Sequence, residues 1–89
     1  MLFREQIISD EDVARVHGSA DFGDMTARRV VDQGVSNVAL GYHCGSVMQS
    51  ILIEHGLAWP RSGESPKHLK PKGQRYHAAM QRAGVEVVI

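Results

Sequence analysis

From Ser46 to His55 the chain runs Ser-Val-Met-Gln-Ser-Ile-Leu-Ile-Glu-His. This spacing predicts a helix with Val47, Met48, Ile51 and Leu52 on one face and Ser46, Gln49 and Ser50 on the other. Gly45 supplies the turn before it, Ser46 with Gln49 reads as a capping box, and Gly56 ends it. Leu57, Ala58 and Trp59 then read as the start of a strand. Upstream, Leu2, Phe3, Ile7 and Ile8 form an apolar lead-in that fits a helix or an edge strand. Ser9 with Asp12 predicts a capped helix from Asp10 to His17, stopped by Gly18, with Ile8 and Val13 as its hydrophobic staple. Ala27, Val30 and Val31 predict a helix over 25–33, with Arg28, Arg29 and Asp32 on its outer side and Gly34 closing it. A brief helix carrying Val38, Ala39, Leu40 and Tyr42 follows, then a turn at His43-Cys44-Gly45.

Beyond Trp59, the run Arg61 to Lys67 contains Ser62-Gly63 and Ser65-Pro66, which suits a hairpin tip, and Pro60 and Pro66 restrict its flanks to edge strands. Pro71 fits the first position of a last helix, in which Tyr76, Ala79, Met80 and Ala83 recur at helical spacing before Gly84. Val85 to Ile89 is β-branched and prefers a strand.

The order helix, Glu54-His55-Gly56-Leu57, turn-rich excursion, Leu69-Lys70-Pro71-Lys72-Gly73-Gln74-Arg75-Tyr76 resembles the end of a winged helix-turn-helix domain, as in the MarR- and PadR-like regulators. There a recognition helix leads into a two-stranded wing, whose second strand enters a helix through Leu-Thr-x-Lys-Gly. Lys70 stands where the family has its capping Thr, which removes a cap and adds a positive charge. The resemblance covers about a third of the chain. It implies an α+β, mostly helical fold with a small β-hairpin wing, in one domain over 1–89. Residues 1–24 would be an N-terminal extension, 25–84 the winged-helix core and 85–89 a C-terminal strand.

Eighty-nine residues make one small domain. A core of that size is marginal, so a homodimer or a protein partner would help to complete it. Hydrophobic residues make up 43% of the chain, which argues against wholesale disorder. There is no apolar run of membrane-spanning length. The first residues lack the pattern of a signal peptide, and Cys44 is the one cysteine, so a reducing cytoplasm is the expected compartment.

Net charge is zero, but its distribution is uneven. From Met1 to Asp24 two basic residues face six acids, whereas from Ala58 to Tyr76 five basic residues (Arg61, Lys67, Lys70, Lys72, Arg75) face Glu64 alone. Such a cluster suits phosphate and equally suits a solvated loop.

These readings converge on a small sequence-specific double-stranded DNA-binding protein, a prokaryotic or phage transcription regulator. The expected contacts are Gln49 to adenine, Ser46 and Ser50 to bases or phosphates, and Arg28, Arg29, Arg61, Lys67, Lys70 and Lys72 to phosphates. Ile53 fits either a thymine methyl or the packing under the N-terminal segment. The helix from Ser46 to His55 has no Arg or Lys, which favours the alternative of a protein-interaction module, such as a phage-encoded protein binding a host factor. No P-loop or nucleophile elbow is present, and an enzyme is not expected. His43, Cys44, His55 and His68 lack paired metal-ligand spacing, Asp21 and Asp24 lack the EF-hand pattern, and no cofactor or metal is expected. Cys44, ahead of a helix start, reads as a small turn residue or as a redox-sensitive thiol.

Overall fold

A computed structural model describes residues 3–18, 23, 25–41, 45–59 and 69–85. Five helices follow one another: α1 (Arg4–Ile7), α2 (Asp10–His17), α3 (Ala27–Ala39), α4 (Ser46–Glu54) and α5 (Pro71–Ala83). Among the described residues there is no strand, and the one element of β pairing is an isolated antiparallel bridge between Ala58 and Leu69. The expectation of an α+β winged helix with a hairpin wing is therefore corrected to a small all-helical globule. Ala58 and Leu69 are both buried in the core, and among the described residues no further pairing extends that bridge into a ladder. The expected wing tip, 60–68, and the end of the expected last strand, 86–89, lie outside the described residues, as does 42–44.

Helix α3 is the centre of the molecule, touching α2, α4 and α5. Its Val30, Val31, Val35 and Val38 are buried, which are helical positions along one face. Thr26 caps it by accepting from the Arg29 amide at 3.1 Å. The helix runs unbroken through Gly34, which the sequence suggested as its end. Gly34 is there for packing: a Cβ on it would lie 3.0 Å from Met48 Cγ and 3.1 Å from Leu52 Cδ1, so α4 crosses α3 at this missing side chain. Of the brief separate helix expected to carry Val38, Ala39, Leu40 and Tyr42, Val38 and Ala39 are the last residues of α3, Leu40 is its C-cap, and Tyr42 lies outside the described residues.

Local signals hold at α2 and α5. Ser9 Oγ accepts from the Asp12 amide at 3.2 Å, and Ile8 and Val13 share the core beneath. Gly18, with φ +57, ends α2. The apolar lead-in resolves as helix α1, whose start is closed by the Phe3 amide donating to Gln6 Oε1 at 2.8 Å. Pro71 occupies the first turn of α5 and Gly84 its left-handed end, with Tyr76, Ala79 and Met80 buried between.

Candidate nucleic-acid interface

Helix α4 shows how packing sets a face. Met48, Ile51 and Leu52 turn toward α3, and this direction carries Gln49 inward and leaves Val47 outward. Gln49 is only 4% exposed and Val47 is 53% exposed, the reverse of the sequence expectation. A side chain that deep has no path to a base edge without unpacking α4, so the Gln49 contact to adenine does not fit this fold. Ser46, Val47, Ser50 and Glu54 form the outward face, with Ile53 half-buried at its edge. The Ser50 hydroxyl donates to its own helix at the Ser46 carbonyl, 3.0 Å away, and retains accepting capacity outward. Gly45, not Ser46, is the N-cap, and no side chain caps α4.

The cations expected to meet phosphate divide into two sets. Arg28 is turned inward: its guanidinium donates to Asp10 Oδ1 at 2.6 Å, to the Ile8 carbonyl at 2.8 Å and to the Tyr76 hydroxyl at 3.2 Å. Tyr76 in turn donates to Asp32 Oδ1 at 2.7 Å, and Arg4 Nε donates to the same oxygen at 3.1 Å. Asp32, expected on the surface, is buried, because Tyr76 and Arg4 supply it with two donors. This relay ties α1, the start of α2, α3 and α5 together. Burial works against the Arg28 charge, yet the hydrogen bonds to Tyr76 and Asp10 outweigh it and raise its pKa. Burial, reinforced by the bond to Asp32, pushes the Tyr76 phenol well above its ordinary range despite the opposing bond from Arg28. Arg28 is thus an internal strut.

Arg29 is exposed beside it. Lys70 and Lys72 lie at the start of α5, and Arg61 and Lys67 lie outside the described residues. Residues 69–85 carry Lys70, Lys72, Arg75 and Arg82 and no acid. Lys70 is the N-cap of α5 without any side-chain cap bond. Arg75 and Arg82, with Ile7 and Ala78, line a shallow groove of about 220 Å³ between α1 and α5.

Trp59 was not among the residues singled out by sequence. Its backbone is anchored: Ala58 pairs with Leu69, the Lys70 amide donates to the Leu57 carbonyl at 2.9 Å, and Gly73 packs on that same carbonyl so closely that a Cβ there would overlap it. Ala58 and Leu69 point inward and their successors Trp59 and Lys70 emerge together. Trp59 is 54% exposed, with Lys70 Nζ 4.9 Å from its ring centroid. The signal available in sequence was the placement of Trp59 against Pro60 at the head of a cationic excursion.

His55, at the C-cap of α4, is 6% exposed and its Nε2 has no hydrogen-bond partner among the described residues. Burial first, and then the positive charges of Lys72 and Arg15, hold its pKa below the ordinary value. Among the described residues no three His, Cys, Asp or Glu side chains gather as a metal site, and no helix is long and apolar enough to cross a membrane.

No family model, curated protein or solved structure matches the chain.

Proposed function

We propose that this chain binds double-stranded DNA as a small sequence-specific transcription regulator, presenting the outward face of α4 together with the basic start of α5. The observation that carries the reading is the separation of charge along the sequence: four cations and no acid over 69–85, against the acidic first turn of α2, Asp10, Glu11 and Asp12. Phosphate contacts supply most of the affinity of such proteins, and Arg29, Lys70, Lys72 and Arg75 are half-buried or exposed cations of the kind that make them. Ser46 and Ser50 offer short polar groups and Val47 a pair of methyls, which suit base edges and the thymine methyl. Arg61 and Lys67 add charge in the intervening excursion.

The test is a titration of the purified protein with mixed-sequence duplex at two salt concentrations. Binding that weakens steeply as salt rises is expected, and loss of Lys72 should lower the dependence of log K on log salt by about 0.9. A second reading, a protein-interaction module, is favoured by Leu40 and Val47, large apolar residues exposed on either side of the turn between α3 and α4. Absence of duplex binding at low salt would select it.

A further inference from the structure

We propose that Trp59 and Lys70 form a site for an unpaired nucleotide, the base stacking on the Trp59 ring and its phosphate meeting the Lys70 ammonium. The inference rests on the nucleic-acid reading and names a contact that the groove-facing helix does not provide.

Three observations carry it. Tryptophan is the side chain with most to gain from burial, yet this one, one residue from the fully buried Ala58, remains 54% exposed. Its position is built into the fold, because the Ala58 to Leu69 bridge, the Lys70 to Leu57 hydrogen bond and the seat of Gly73 on the Leu57 carbonyl leave little freedom at its base. A preorganised ring costs less to bind. Finally, a cation stands beside it: Lys70 Nζ lies over the ring, 4.9 Å from its centroid. Neutral apolar partners gain nothing from that charge, whereas a base attached to a phosphate uses both parts, ring to ring and anion to cation.

Trp59 is the one tryptophan, so intrinsic fluorescence reports on this site directly. The protein is titrated with an oligothymidine of about 12 nucleotides and, separately, with a fully paired duplex. Quenching of Trp59 emission by the single strand is expected. Trp59→Ala should weaken single-strand binding by roughly 5- to 150-fold while Trp59→Phe keeps most of it. Lys70→Gln should reduce the salt slope by about 0.7.

Single-strand binding that leaves the emission unchanged and is indifferent to Trp59→Ala overturns the site, and so does binding of duplex alone. Duplex binding in either case preserves the broader reading. Quenching by the single strand with no duplex binding keeps the site and removes the duplex reading, whereas no binding to either removes both. Because Trp59 is largely outside the core, the variants should fold, and an unchanged helical circular dichroism spectrum verifies it.

Discussion

Arg28 with Tyr76 and Lys70 with Trp59 are two cation and aromatic pairs in one small molecule, and their surroundings differ in every respect. Around Arg28 the donors are consumed: Asp10, the Ile8 carbonyl and Tyr76 take its guanidinium, and Asp32 takes the Tyr76 hydroxyl. Around Lys70 they are not, since its described neighbour is the face of an exposed indole. The first pair stands among residues that must be satisfied because water is excluded. The second stands where water satisfies it, which leaves its charge available to a ligand. A basic residue in sequence is thus equally a strut or a contact, and partners from distant elements decide which.

The sharpest way to break the inner network is to remove Asp32, the acceptor that Tyr76 shares with Arg4. Asp32→Ala leaves Tyr76 and Arg4 without their carboxylate in a buried setting, and a loss of about 3–5 kcal/mol is expected, measured by urea unfolding. For a domain of this size that approaches its whole stability. A loss below about 1 kcal/mol would mean that the relay is replaceable by water.

Gly73 lies where the two regions meet. Gly73→Ala drives a methyl group into the Leu57 carbonyl, a backbone atom with little room to move, and should cost about 1–3 kcal/mol. Gly34→Ala meets its nearest neighbours, Met48 Cγ and the two Leu52 Cδ methyls, at 3.0–3.1 Å and on side chains, not on backbone, so its cost should be the smaller of the two. Equal thermal shifts in the two variants would argue that the Leu57 turn is pliable, and with it the seat of Trp59.

His55 sharpens the comparison through pH. The fold holds it neutral by burial and by the nearby Lys72 and Arg15, with Asp12 the opposing charge and Arg28 adding to the effect from α3. In the unfolded chain it protonates near its ordinary 6.5. As pH falls below that value the unfolded state takes up the proton first, so stability declines until the folded-state pKa is passed. His55→Leu should remove this part of the pH dependence. Unfolding free energies of the two proteins across pH 7 to 5 that run parallel would show that His55 does not titrate differently on folding.

Much of the helical plan was legible. Caps announce α2, Pro71 and Gly84 bracket α5, and Gly56, with φ +73, follows the end of α4, because these signals are local and act through the nearest few residues. Gly34 misled because the same residue serves helix ends and helix crossings, and only the arrival of Met48 and Leu52 distinguishes them. Gln49 and Val47 exchanged roles because α4 has apolar residues over much of its circumference, so the period alone left its inward direction ambiguous. The wing was inferred from the residues that bracket it; Ala58 and Leu69 do pair, but one bridge does not make a sheet. The Arg28 relay joins residues up to 48 positions apart, beyond the reach of any local pattern.

The smallest effect is the most discriminating. Lys70→Ala removes a surface cation–π contact worth about 0.5–1 kcal/mol. It keeps the backbone bond from residue 70 to Leu57 and removes no side-chain cap from α5, because Lys70 makes none. Unfolding free energy should therefore change by no more than that amount, while Trp59 emission responds to loss of the ammonium and nucleic-acid affinity falls at low salt far more than stability does. A variant that lost stability and binding in proportion would place Lys70 with Arg28, as a residue that holds the fold. A variant that lost binding alone would place it on the surface the fold exists to present.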